Sequence, residues 1–320
     1  MTAVVRIRDL EVAYGSVRIL EGISLEIRKG EILALVGETG SGKTTLAMAL
    51  ARMLPPGAAV RGYVEVDGWA IYDLPVPVLR SLRGRLIGLV PQDAMAALNP
   101  VLPVGAQVAE VFQVHLGLSA SEAWARAVEA LARVRIPRPE QAARLYPHQL
   151  SGGMRQRAVL AMALALNPPV LIADEPTTAL DRLTQGEILA LVRRLQAESA
   201  IAVLWITHDM GVVAALAHRV AVLYAGRLAE VGPCAEILSA PFHPYTEALV
   251  RTYYDLIHGP RGEPLYAIQG YPPSARDRPS GCPFHPRCPY RQEICQDRFP
   301  EILQRGERIV ACYFPRGNAQ

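Results

Sequence analysis

Apolar positions recur with two periods along this chain. Val4–Ile7, Val12–Tyr14 and Ile23–Ile27 are short apolar or alternating runs punctuated by Gly15, Gly22 and Gly30, a pattern that predicts strands. Ile32–Val36 is apolar throughout, as expected of a strand buried on both faces. A glycine-rich turn follows, then Thr44–Leu54 with helical character, and Tyr63–Val66 and Leu86–Val90 as further strands. From Val104 to Val134 the texture becomes helical, with Ser119 and Glu122 spaced as a capping box ahead of an alanine-rich amphipathic stretch. Beyond it the pattern alternates: helix Met154–Leu166, strand Val170–Ala173, helix Leu183–Glu198, strand Ala202–Ile206, and short strands Val220–Tyr224 and Arg227–Val231. Strands alternating with helices predict an α/β fold with a mostly parallel sheet covered on both faces. Residues 1–94 and 156–240 read as an α/β core, 95–155 as an inserted helical subdomain, and 241–320 as a separate C-terminal extension in which prolines crowd between Pro260 and Pro289.

Composition narrows the function classes. Of 320 residues, 51% are hydrophobic, enough for a substantial core. The formal net charge of +3 is too weak to argue for nucleic acid through bulk electrostatics. Lys29 and Lys43 are the only lysines, which makes Lys43 conspicuous. No run is long and apolar enough to cross a bilayer; the nearest, Val159–Ala173, is broken by Asn167, Pro168 and Pro169. The opening residues lack an apolar signal core, so a cytoplasmic location is expected, with any membrane role borrowed from partner chains.

Three segments carry chemistry. Gly37-Glu38-Thr39-Gly40-Ser41-Gly42-Lys43-Thr44 matches G-x-x-x-x-G-K-[ST] between a strand and a helix, the context that motif requires. Its glycines let consecutive N–H groups face a phosphate, and the helix start adds positive potential. Gly37, Thr39, Gly40, Ser41, Gly42, Lys43, Thr44 and Thr45 are the candidate ATP contacts, with Lys43 for the β- and γ-phosphates and Thr44 for Mg²⁺. Val170–Glu175 is an apolar strand ending in two carboxylates. Asp174 is placed to hold the Mg²⁺ hydration shell and Glu175 to polarise an attacking water. Leu150-Ser151-Gly152-Gly153-Met154-Arg155-Gln156 opens a helix with a serine cap and two glycines, a second potential anion site.

The order of phosphate loop, Leu-Ser-Gly-Gly-x-x-Gln and Asp-Glu strand resembles the nucleotide-binding subunit of ATP-binding cassette (ABC) transporters, a P-loop NTPase with a RecA-like sheet preceded by N-terminal antiparallel strands. The resemblance covers roughly residues 4 to 240. It implies a face-to-face dimer in which Ser151, Gly152, Gly153, Gln156 and Asp181 of one subunit meet the ATP held by another, whether a sister chain or a second copy. It further implies Tyr14 against adenine, Gln92 at Mg²⁺, and His208 at the γ-phosphate. The expected partners are two membrane permease subunits and, indirectly, an external substrate-binding protein, with the chain held at the cytoplasmic face of the plasma membrane. A non-transporting ABC ATPase, working on nucleic acid, ribosomes or metal-cluster assembly, is the alternative. Only about a hundred residues separate Thr44 from Ser151, too few for the long coiled-coil arms of the chromosome-organising relatives.

Asp93–Pro100, His243-Pro244-Tyr245-Thr246, and Pro273-Ser274 ahead of Gly281–Cys288 resemble the oligopeptide and dipeptide importer branch, although that branch usually has proline at the place of Ala94. Nickel and oligosaccharides are alternative cargoes among such relatives. Cys282, Cys288, Cys295 and Cys312 are spaced C-x5-C-x6-C-x16-C, without the close pairs usual for structural zinc. Four thiolates on long loops suit a [4Fe–4S] cluster, which the resemblance also implies; zinc and free or paired thiols remain open. Cys234 lies apart and reads as a small core residue.

Overall fold

The computed structural model describes residues 2–259 and 265–317; Pro260, where the proline-dense stretch begins, lies outside them. The chain forms two compact units, one from residues up to 5, 26–31 and 65–205, the other from 6–25, 32–64 and 206 onward.

In the first unit Ile87–Val90 pairs in parallel with Val170–Asp174, Ile87 opposite Val170 and Val90 opposite Ala173. Ala202–Thr207, whose first four residues belong here, flanks Val170–Asp174 on its other side. Every residue of Val170–Asp174 is buried, which explains why it reads as an unbroken apolar run. A Cβ on Gly88 would lie 2.3 Å from the Ala163 carbonyl oxygen, so glycine is what lets the helix Gly152–Leu164 pack directly on this strand pair. The helices Val104–Leu116 and Ala120–Arg133 follow the predicted helical stretch. The capping box forms as read: Ser119 Oγ accepts the Glu122 N–H, and Glu122 accepts the Ser119 N–H at 2.9 Å. Ala123, Ala127 and Leu131, spaced by four, are the buried face of that helix.

In the second unit the sheet is mixed rather than mostly parallel. Ile32–Val36 runs parallel to Arg219–Tyr224, with Leu33 opposite Arg219 and Val36 opposite Val222. Arg219–Tyr224 then turns back through Ala225 and Gly226, both at positive φ, into the antiparallel strand Arg227–Pro233. Two strands from the C-terminal region, Arg308–Val310 and Leu303–Arg305, continue the sheet antiparallel beyond it. At the N-terminus the runs read as two short strands are one, Ala3–Tyr14, with Asp9 at positive φ where the sequence showed a gap. Ala3–Tyr14 hairpins into Val17–Arg28 and is flanked on its other side by Ala58–Val66.

The region after residue 240 is not a separate body. Tyr245, Val250 and Phe284 share one buried cluster with Ala34, Val36, Val222 and Tyr224, and Cys282 and Cys288 pack against it. Tyr224, Tyr245 and Phe284 pack with tilted and edge-to-face rings whose centroids lie 4.5–5.3 Å apart. A few large aromatic rings do here what aliphatic runs do elsewhere.

Candidate functional site

The phosphate loop belongs to the second unit. Ile32–Val36 is wholly buried and delivers the chain to Gly37, where an added Cβ would lie 2.2 Å from the Leu223 carbonyl oxygen. Only glycine permits that approach. Gly42, at φ 103°, turns the chain into the helix Lys43–Leu50, whose first N–H groups receive no side-chain cap. Those amides and the helix dipole are therefore available to an anion. Lys43 is buried, and its ammonium folds back onto the Gly37 and Glu38 carbonyl oxygens at 2.7 and 3.1 Å. Ser41 is also buried, and its Oγ has no hydrogen-bond partner among the described residues. A buried hydroxyl without a partner inside a nest of backbone amides is what a bound phosphate oxygen would satisfy. Thr39, Gly40 and Thr44 are exposed and Thr45 is half-buried.

The same unit holds Tyr14 at the end of its strand, half-buried before Gly15, and His208 just after Ala202–Thr207, exposed. Asp209, which sequence reasoning passed over, fixes the turn that carries His208. Its carboxylate accepts the Gly211 N–H at 2.8 Å to cap the helix Met210–Leu216, and its own N–H donates to Thr207 Oγ1 at 3.0 Å. An aspartate directly before an apolar helical run is the signal that marks it.

The first unit holds the remaining predicted nucleotide-site residues. Asp174 ends its buried strand, and Glu175, the next residue, sits at φ +46°. A non-glycine residue in the left-handed region carries strain of about 1–3 kcal/mol, which persists where the surroundings hold it and is common at functional sites. Thr178 Oγ1 donates to the Glu175 carboxylate at 3.2 Å. Ser151 caps Gly152–Leu164 by accepting the Met154 N–H, and Arg155 braces the preceding turn through the Leu150 carbonyl at 2.8 Å. A Cβ on Gly153 would meet Thr184 Cγ2 at 2.5 Å, and Thr184 is itself held by Asp181. The Asp181 carboxylate accepts Thr184 Oγ1–H at 2.6 Å and the Thr184 and Leu183 N–H groups at 3.0 Å, which lowers its pKa, the side-chain bond contributing most. A cleft of about 430 Å³ brings Gln92, Gly152, Gln156 and the loop from Pro176 to Leu180 together. Gln156 is buried there, and its amide Nε2 has no partner among the described residues.

All four C-terminal cysteines, Cys282, Cys288, Cys295 and Cys312, line one enclosed pocket of the second unit with Phe284, Tyr290 and Phe314. None is disulfide-bonded. The Cys282 N–H donates to the Cys295 carbonyl at 2.8 Å, tying two of the cysteine segments together. Burial pushes the Cys282 thiol up to about 11 and Cys312 up to about 12, and the neighbouring sulfurs add to both shifts. No group of three or more His, Cys, Asp or Glu side chains among the described residues is arranged to hold a metal ion. Cys234 does not line this pocket; it is buried in the cluster of Tyr245 and Ile237.

No helix among the described residues is long and apolar enough to cross a membrane. Residues 20–178 match the ABC transporter family, and residues 229–295 match the C-terminal region of oligopeptide/dipeptide transporters. The oligopeptide transport ATP-binding protein OppD of Salmonella typhimurium is 40% identical over 313 residues, which span 97% of this chain and 93% of that protein. A probable peptide ABC transporter ATP-binding protein of Sinorhizobium fredii, y4tR, is 44% identical over 96% of this chain and 93% of its own length. Among solved structures, the dimeric post-hydrolysis state of the ATP-binding cassette MJ0796, bound to ADP and Pi, superposes with a TM-score of 0.63 at 30% identity, over 72% of this chain and 98% of that one. The structure of cbiO1 from Clostridium perfringens, part of the ABC transporter complex cbiONQ, gives 0.66 at 29% identity, over 81% of this chain and 96% of that one. With the phosphate loop, the carboxylate strand and the serine-glycine helix start all formed, and full-length relatives at this identity, the chain belongs to the ATP-binding subunits of ABC transporters, in the oligopeptide/dipeptide branch.

Proposed function

We propose that this chain hydrolyses MgATP to drive the import of dipeptides or oligopeptides through a membrane permease. The observation that carries the reading is the phosphate loop: a helix start without a side-chain cap, a buried lysine folded onto its own loop, and a buried serine hydroxyl with no partner among the described residues. Lys43 exchanges its two carbonyl contacts for the β- and γ-phosphates, and Ser41 gives its hydroxyl to the same anion. Mg²⁺, when bound, neutralises the phosphate charge; Thr44, Asp174 and Gln92 are the residues to hold it. Glu175 polarises the attacking water from its strained position, and His208 steadies the γ-phosphate. Tyr14 stacks on adenine.

Ser151, Gly152, Gly153, Gln156 and Asp181 serve the nucleotide of a second ATP-binding subunit in a face-to-face dimer; the structure of the MJ0796 cassette, too, is described as dimeric. The glycine pair that opens the helix Gly152–Leu164 and the buried Gln156 amide, whose Nε2 has no hydrogen-bond partner among the described residues, support that role. Two permease subunits hold the dimer at the cytoplasmic face of the plasma membrane, and an external binding protein delivers cargo. The C-terminal thiols form a site for a [4Fe–4S] cluster. Four cysteines lining one pocket support a thiolate-held group there, and their long spacing, without close pairs, favours a cluster over zinc.

The test is ATP hydrolysis by the chain co-expressed with its permease and reconstituted in vesicles. Stimulation by a peptide-loaded binding protein is expected. Stimulation by nickel or oligosaccharide instead would overturn the peptide assignment, and hydrolysis indifferent to any permease would overturn the transport role. Iron and acid-labile sulfide absent after anaerobic isolation would overturn the cluster.

A further inference from the structure

The second residue of the phosphate loop, Glu38, is held by the C-terminal region through both its backbone N–H and its carboxylate. The Glu38 N–H donates to Tyr245 Oη at 2.8 Å. Its carboxylate accepts two hydrogen bonds from Arg287, Nη1 to Oε2 at 2.6 Å and Nη2 to Oε1 at 3.0 Å. Its carbonyl oxygen accepts from Lys43 Nζ and from the Ser41 N–H, both within the loop. Two of these anchors lie more than two hundred residues away in sequence and belong to the same compact unit as the loop.

Arg287 is built to hold its position. Its side chain is 5% exposed against 25% for Glu38. Nε donates to the Gln269 carbonyl at 2.9 Å and Nη1 also reaches Tyr224 Oη at 3.2 Å. Burial opposes its charge, but the bonds to Glu38 and Tyr224 outweigh it and its pKa is raised. Its backbone lies in the single helical turn His285–Arg287, directly before Cys288 and following Cys282. The guanidinium is thus mounted on the cysteine-bearing loop and aimed at the phosphate loop. A paired, bidentate carboxylate–guanidinium contact fixes orientation as well as distance.

We propose that Arg287 is a positioning residue for ATP binding: through Glu38 it fixes the phosphate loop in its anion-accepting shape, making the cysteine-bearing region part of the nucleotide site. The proposal rests on the reading that residues 37–44 hold the triphosphate. Arg287 touches no phosphate. It removes freedom from the loop before nucleotide arrives, so less is lost on binding.

The experiment measures MgATP affinity by calorimetry, with thermal unfolding in parallel, on the full chain and its Arg287→Gln, Glu38→Gln, doubly substituted and Arg287→Lys forms. Each single Gln variant is expected to weaken MgATP binding about ten-fold, the size of one lost charge-assisted pair. The double variant should be no weaker than the worse single, because both remove the same link. Lysine at 287 should restore part of the affinity. Steady-state hydrolysis should show the loss in KM with kcat nearly unchanged. If Arg287→Gln does not fold, Glu38→Gln, on the partly exposed side of the pair, gives the same readout. Unchanged affinity in a folded single variant, or losses that multiply in the double, overturns the proposal. Lys43→Ala separates the two readings: loss of binding there, with Arg287→Gln unaffected, removes only the positioning role, whereas wild-type affinity in Lys43→Ala removes the phosphate-loop reading and this one with it.

Discussion

Replacing Arg308 by leucine should unfasten the C-terminal strands from the sheet at a cost that can be sized from their contacts. Glu230 is fully buried in the middle of Arg227–Pro233. Its carboxylate accepts the Phe242 N–H at 2.9 Å, the His243 N–H at 2.8 Å, and Arg308 Nη2 at 2.5 Å. Arg308 also donates to the Ala240 carbonyl at 2.7 Å and lies over the Phe242 ring at 3.3 Å from its centroid. Two backbone donors remain after Arg308→Leu, but no cation does. Breaking a buried pair from one side costs about 3–5 kcal/mol, because the surviving charge stays buried. A typical domain is stable by only about 5–15 kcal/mol, so the loss is large. Urea unfolding at pH 7 should show a fall in midpoint of that size. Glu230→Gln should cost less, since the amide oxygen still accepts and no anion is stranded, and the double variant Glu230→Gln with Arg308→Leu should lose well under the sum of the two single losses. A single Arg308→Leu loss below about 1 kcal/mol, or strict additivity in the cycle, would show that the carboxylate is hydrated and the burial argument wrong.

Other expectations follow from single contacts. Glu175→Gln should cut steady-state hydrolysis by at least about a hundred-fold, the ordinary worth of an aligned base, while ATP binding is kept; normal turnover would remove its assigned role. Gly37→Ala forces a Cβ to 2.2 Å from the Leu223 carbonyl oxygen, so it should cost about 1–3 kcal/mol and weaken MgATP binding, read by thermal unfolding and calorimetry. Burial lowers the His243 pKa from 6.5 to about 4. Since the folded value lies below the unfolded one, the associated stability is complete above about pH 6.5 and lost as pH falls through 4, up to ~3 kcal/mol. His243→Asn can still accept the Tyr245 N–H but has no proton to take up, so its urea midpoint should fall less between pH 7 and pH 4 than the unaltered chain's; parallel curves would contradict the assignment.

The parts legible in the sequence are those where local chemistry and long-range packing agree. Ile32–Val36 and Val170–Asp174 are apolar throughout and are buried throughout. Ser119 and Glu122 form the box their spacing predicts, and Ser151 caps the helix it precedes. What the sequence concealed depends on partners distant in the chain. Leu303–Arg305 and Arg308–Val310 are three residues each, with only the apolar pair Ile309 and Val310 as a signal, and exist as strands because Arg227–Pro233 offers an edge. The link between Glu38 and Arg287 spans 249 positions and leaves no periodic trace. A motif scan stops at Gly37 and Lys43, the positions the motif defines; it is silent on Glu38, between them, which meets distant parts of the chain.

That silence bears on the role of the cysteine region. A segment with few apolar runs, as residues 241–320 are, gains stability readily from a bound metal. Yet Phe284 is buried among Tyr224 and Tyr245, and Cys282 and Cys288 pack on the same cluster, so part of the region's ordering comes from aromatic burial. The thiols then sit at the far end of a short rigid chain of contacts: Cys288 follows Arg287, Arg287 clasps Glu38, and Glu38 shapes the loop that Lys43 folds onto. Replacing Cys288 by serine changes one sulfur and leaves Phe284 and Arg287 in place. If aromatic packing alone orders the turn, MgATP affinity should stay within about two-fold of the unaltered chain, a difference under 0.5 kcal/mol. If whatever the sulfurs hold also tensions the turn, affinity should fall toward that of Arg287→Gln. Calorimetric titration of Cys288→Ser against MgATP decides between these, because thermal stability alone would drop in both cases.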